Sequence, residues 1–89
     1  MRIKNGFVLR EVSGRQVVMG EGLAAIDFGR LLCLNDEAAW LWNEAQKMGD
    51  FTVDTLAWRL FEEYEVTEEV AHQDVAEIVE GWQQMKMLE

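Results

Sequence analysis

The chain has no proline, one cysteine and one histidine among its 89 residues. A single cysteine excludes an internal disulfide and a cysteine-based metal site, and His72 alone cannot build a transition-metal site. No apolar run approaches the roughly 20 residues needed to cross a bilayer. The basic N-terminus lacks the apolar segment that follows it in a secretion signal. We therefore expect a cytoplasmic protein with no metal, no cofactor and no membrane partner.

Positive charge is also scarce, because 8 lysines and arginines face 17 acids, for a net charge of −9. Nucleic-acid binding needs lysine and arginine to neutralise phosphates, so the charge argues against a nucleic-acid partner. Two explanations of the acidity stay open. The acids serve solubility and helix starts, or they face a neutral or basic partner.

Catalytic groups do not form a recognisable set. Ser13 is the only serine and lies in a predicted turn, and Asp74 and Glu77 are typical of a solvated helix face. Cys33 has apolar neighbours, and a lone cysteine in such a run is usually a small buried hydrophobe. An enzyme needs a nucleophile, a base and an orienting group. We predict that the chain is not an enzyme.

The first third of the chain has the pattern of strands and turns. Phe7–Val12 and Gln16–Met19 flank Ser13-Gly14, which predicts a β-hairpin because glycine tolerates the positive φ of tight turns. Leu23–Phe28 fits either a strand or an irregular crossing segment. Leu31–Leu34 predicts a third short strand.

The remainder predicts three helices, each starting after a capping residue. Asn35, Thr52 and Thr67 each precede acids, which favour the positive end of a helix dipole. Apolar residues then recur with helical spacing, and the links between the helices are short. The expected fold is α+β and winged-helix-like. A single domain over residues 1–89 would contain an N-terminal β-hairpin, a third short strand and a three-helix bundle.

Two surfaces of this fold favour peptide binding. A short strand at the side of a small sheet leaves backbone groups unpaired, and an extended peptide pairs with them by adding a strand. The third helix carries more apolar residues than bundle packing needs, and tryptophan is a common anchor at binding surfaces. The candidate peptide-binding residues are Leu31, Leu32, Cys33, Leu34, Val75, Val79 and Trp82. For Trp82 a place in the core is the alternative.

A winged-helix fold also suggests two other functions, DNA binding and dimerisation. The third helix would enter the major groove in a DNA-binding version, but it displays several acids, each of which would repel a phosphate. Trp40 lies roughly opposite the apolar face of the first helix. We expect the hairpin to cover it, and the alternative is a second subunit in a homodimer.

Several stretches of the sequence, taken in their order along the chain, resemble PqqD-like proteins, the family named for protein D of pyrroloquinoline quinone (PQQ) biosynthesis. The resemblance covers nearly the whole chain, although Gly20–Arg30 is longer than in the shortest members. The shared stretches are Phe7–Val12, Val17-Val18, Asp27-Phe28, Leu34–Ala39, Leu41-Trp42, Leu60–Val66, Asp74-Val75 and Met87–Glu89.

The resemblance implies a non-enzymatic peptide chaperone. Such a protein binds the leader of a ribosomally made precursor peptide and presents it to a modifying enzyme, often a radical S-adenosylmethionine protein. The leader is expected to add as a strand beside the third strand and to pack against the third helix. Those positions are the candidate residues already named. The alternative is a winged-helix interaction or dimerisation module with no role in peptide modification.

Overall fold

The computed structural model describes residues 1–22 and 31–89. The predicted segment Leu23–Phe28 lies outside the described residues. The strands and helices are, in chain order, β1 (Phe7–Val12), β2 (Arg15–Gly20), β3 (Leu32–Leu34), α1 (Asp36–Met48), α2 (Val53–Glu63) and α3 (Glu68–Gln84). This order confirms the α+β class, with a three-stranded antiparallel sheet followed by three helices.

The predicted hairpin is confirmed, including its turn. Val12 pairs with Arg15, so Ser13 and Gly14 alone form the loop between the strands. Their φ angles are 52° and 78°. Two consecutive positive φ values characterise the tight hairpin turn whose twist matches the twist of the flanking strands.

β3 continues the sheet on the other side of β2. It runs antiparallel to β2, with Val18 opposite Leu32 and Gln16 opposite Leu34, and the strand order is β1-β2-β3. Side chains alternate between the faces of a strand. Leu32 and Leu34 therefore share the face of Val18, which is fully buried in the core, and both pack against that core.

All three predicted helix caps are present. The Asn35 carboxamide oxygen accepts a hydrogen bond from the Ala38 backbone N–H at 2.8 Å. The Thr67 hydroxyl does the same for Val70 at 3.1 Å. Thr52 forms a reciprocal pair with Thr55, in which each side chain accepts from the other backbone N–H. Capping of this kind contributes about 1 kcal/mol per helix.

The core lies between the sheet and the helices, and two tryptophans occupy its centre. Trp42 of α1 and Trp82 of α3 meet edge to face, with ring centroids 5.2 Å apart. Both are almost fully buried. Near the chain ends, Ile3 pairs with Leu88 in an isolated antiparallel bridge. None of the described helices is long and apolar enough to span a membrane.

Trp40 is covered differently from our expectation. Its ring meets Tyr64 edge to face at 5.3 Å between centroids, and the Arg59 guanidinium lies 5.7 Å from its centre. These neighbours belong to α2 and its C-terminal cap, whereas we had expected the hairpin. A cation over an aromatic face is attracted by the ring quadrupole, so Arg59 contributes to this packing.

Arg59 also joins α1 to α2 through Glu44, the one charged residue that is buried among the described residues. Its Nη2 donates to Glu44 Oε1 at 2.9 Å, and Lys47 Nζ donates to Glu44 Oε2 at the same distance. The hydrogen bond from Lys47 lowers the pKa of Glu44 from its ordinary value of 4.5, with a further contribution from Arg59, while burial opposes both.

A Glu44→Gln variant is expected to lose about 1–2 kcal/mol of unfolding free energy at neutral pH, because it replaces charge-assisted hydrogen bonds by weaker ones. The folded pKa of Glu44 is lowered, so its stabilisation is present above pH 4.5 and is lost as pH falls through the folded pKa. Urea unfolding from pH 7 to pH 2 measures this. Glu62→Gln is the control, since Glu62 is an exposed partner of the same arginine. If the difference in unfolding free energy between Glu44→Gln and the parent does not shrink in acid, the stabilising role of the ionised Glu44 is contradicted.

Candidate peptide-binding site

β3 has a strand partner on one side only, among residues 1–22 and 31–89. β2 pairs with it along Leu32–Leu34, and β3 is the last strand in the sheet order. Leu31, immediately before the strand, is 59% exposed. The outer side of β3 therefore offers backbone groups to which a further strand can bind.

A groove of about 350 Å³ runs between this strand and the C-terminal half of α3. Its walls are apolar side chains of both elements, and the buried Trp82 lies at its base. The apolar residues that line it are Leu32, Leu34, Ala38, Ile78, Trp82 and Met85. An extended peptide added to β3 would place every second side chain toward this groove.

Gly81 lines the α3 side of the groove without a side chain. It lines the groove between Ile78 and Met85. Apart from its two chain neighbours and the backbone of its own helix, a Cβ added there would meet no heavy atom of the described residues within 4 Å. Glycine weakens a helix interior by about 1 kcal/mol relative to alanine. The chain accepts that cost at a position where a side chain would fill the groove.

The structure corrects part of the predicted site. Val75, Val79 and Trp82 are 0%, 2% and 2% exposed, so the prediction that Val75 and Val79 form an accessible surface is wrong. Trp82 is part of the core, as its alternative assignment proposed, although it also forms the base of the groove. The prediction of a buried Cys33 is wrong as well, since its side chain is exposed.

The groove residues missed from the sequence are Ile78, Gly81 and Met85. Consecutive residues of an α-helix are turned by about 100°, so Ile78 lies to one side of Val79, which belongs to the buried stripe. Helical spacing identified that stripe, but β3 packs beside the Ile78 flank. Gly81 was the available signal, because a glycine inside an amphipathic helix often marks a close approach or a packing requirement.

One acidic residue, Glu77, lines the groove. Glu37 precedes the groove residue Ala38 in sequence and lies beside Asp74 of α3. Burial raises the pKa of Glu37, and the nearby Asp74 carboxylate raises it further. This environment disfavours acidic side chains in a bound peptide and favours basic ones. In the described part of the chain, histidine, cysteine and acidic residues form no cluster that could hold a metal ion.

Comparison with known proteins identifies a family and two similar folds. The model of coenzyme PQQ synthesis protein D (PqqD) matches residues 7–88. A solved structure described as TbiB1 in complex with the TbiA(beta) leader peptide is 13% identical, covers 100% of this chain and 95% of its own, and has a TM-score of 0.76. A lasso peptide synthetase B1 complexed with the leader peptide is 20% identical, with coverage of 98% and 93% and a TM-score of 0.69. No curated protein matches.

Proposed function

This chain belongs to the PqqD family, whose model spans residues 7–88, and from that membership we propose that it binds the leader of a ribosomally made precursor peptide. The leader adds as a strand to the outer side of β3, and its alternate side chains enter the groove against α3. The two similar folds are described as complexes with leader peptides, which supports the proposal.

One observation carries the proposal: the open side of β3 borders an apolar groove of about 350 Å³. Backbone pairing supplies affinity that is independent of the side chains, while the groove selects the side chains that face it. Leu32 and Leu34 serve both purposes, because their backbones form the strand and their side chains line the groove.

The groove also indicates the chemistry of the leader. Its apolar lining favours leucine, isoleucine, valine or aromatic side chains at two positions separated by one residue. Glu77, the acid that lines the groove, favours lysine or arginine at an adjoining position. We expect the recognised segment to be extended and apolar, with a basic residue at one end.

The chain acts in this scheme as a single non-catalytic domain. It presents the bound precursor to a modifying enzyme, either a radical S-adenosylmethionine protein or an enzyme of another class. The product is PQQ or another modified peptide. The site of action is the cytoplasm, where ribosomal precursors are made. A second subunit is not needed to cover Trp40, since Tyr64 and Arg59 of the same chain pack against its ring.

A calorimetric titration of the full chain with synthetic precursor peptides tests the proposal. The leader segment alone is expected to bind as tightly as the whole precursor, and the core segment alone is expected not to bind. The control is a leader of the same composition in scrambled order. Binding carried by the core, or equal binding of the scrambled leader, would contradict leader recognition.

A further inference from the structure

A second cavity, of about 430 Å³, lies between α2 and the first turns of α3. Trp58 and Phe61 of α2 line it with ring centroids 5.4 Å apart. Trp58 is 54% exposed, whereas Trp42 and Trp82 at the centre of the fold are almost fully buried. A tryptophan exposed in a cavity marks a candidate anchor for a protein partner.

This cavity is separate from the leader groove. The two share no lining residue, and their nearest lining residues on α3 are His72 and Glu77, which are five positions apart. At 3.6 residues per turn that interval turns the helix by about 140° and advances it by about 7.5 Å. A leader in the groove therefore leaves the cavity accessible.

The charged residues that line the cavity are mainly acidic. Asp54, Glu68 and Glu69 line it, whereas no lysine or arginine does so among the described residues. The Asp54 carboxylate lies 3.0 Å from His72 Nε2. Arg59, the nearest basic residue along α2, is occupied by Glu44, Glu62 and Glu63. The chain as a whole carries −9, so this acidity adds to a long-range attraction for cations.

We propose that this cavity binds a lysine- or arginine-bearing segment of a second protein partner, with the cation against Trp58 and the acids, and an apolar neighbour on Phe61. A second copy of this acidic chain is a poor occupant because of charge repulsion. A small free cation would be held weakly, since half of Trp58 stays in solvent. Simultaneous binding with the leader rests on the proposed function, but occupation of the cavity does not.

The test selects partners from a displayed library of random 12-residue peptides on the immobilised full chain. Peptides with lysine or arginine beside an apolar residue are expected to be enriched. They should bind Trp58→Ala and the double variant Glu68→Gln/Glu69→Gln about tenfold more weakly than the parent, as loss of a cation–π contact and two charges implies. They should bind Gly81→Leu, altered in the leader groove, with unchanged affinity.

A measurement on the parent chain makes the result independent of the folding of any variant. A selected peptide should shift the indole N–H resonance of Trp58 in ¹⁵N spectra and leave Leu32 and Leu34 unshifted. No enrichment, enrichment of peptides without basic residues, or undiminished binding to Trp58→Ala would overturn the proposal. A mass in sedimentation that halves on Trp58→Ala would also overturn it, because a second copy would then occupy the cavity. Leader titrations of the same variants separate this outcome from failure of leader binding.

Discussion

Gly81→Leu is expected to weaken leader binding at least tenfold, or about 1.4 kcal/mol, without lowering the unfolding temperature. The leucine side chain projects into the groove that a bound leader would fill. The fold is expected to tolerate it, because an added Cβ meets no described heavy atom within 4 Å beyond its chain neighbours and its own helix backbone. Leucine also forms helices better than glycine by up to about 1 kcal/mol, which corresponds to a gain of a few degrees. Calorimetric titration and thermal unfolding measure the two effects separately.

Two matched variants make this result interpretable. Gly81→Ala gains most of the helix stability while filling little of the groove, so it should be more stable and should bind the leader nearly as well. Glu80→Leu adds the same side chain at the neighbouring exposed position, outside the groove lining, and should leave binding unchanged. Tight leader binding by a folded Gly81→Leu variant would show that the leader lies elsewhere.

Trp82→Ala is expected to destabilise the fold by about 3–5 kcal/mol, the range for truncating a large buried aromatic residue. Trp82 is 2% exposed and meets the Trp42 ring at 5.2 Å, so its removal leaves a cavity and an unpacked ring. A domain of this size has only about 4–13 kcal/mol in total. We therefore expect urea unfolding to show that the variant has lost a large fraction of its unfolding free energy. Truncation of a residue that contributed to peptide binding alone would leave that free energy nearly unchanged.

The control is the same substitution at the exposed tryptophan. Trp58→Ala removes a ring contact with Phe61 and should cost at most about 1.5 kcal/mol. If the Trp82→Ala variant keeps the stability of the parent but loses leader binding, Trp82 is a residue of the binding surface and the core assignment is wrong. Equal destabilisation at both positions would contradict the burial on which the core assignment depends.

Local chemistry explains why much of the fold could be predicted. The Ser13-Gly14 turn and the caps Asn35, Thr52 and Thr67 depend on residues within four positions of one another. Their hydrogen bonds and φ angles are therefore encoded in short stretches. The boundary predicted for β3 is also close to the observed one, since the strand begins at Leu32, one residue after its predicted start.

Features that depend on distant contacts could not be predicted in the same way. Ile78 and Val79 of α3 are both apolar in sequence, but Val79 is buried in the core while Ile78 lines the groove beside β3. The Trp40 ring is covered by Tyr64, 24 positions away in sequence. Cys33 has apolar neighbours, yet it is exposed on the strand face opposite to that of Leu32 and Leu34.

Cysteine scanning of the leader against Cys33 tests the central claim most directly. Cys33 is the only cysteine, it is exposed and it lies in the middle of β3. Directly opposite residues on adjacent strands have Cα atoms about 4.5–5.5 Å apart, within the range of a disulfide. A strand added to β3 should therefore cross-link at one leader position, weakly at positions two residues away and not at the residues between. Cys33→Ser, which retains the strand, should bind the leader without cross-linking. Cross-linking without this alternation, or its absence from a leader that binds, would contradict strand addition at β3.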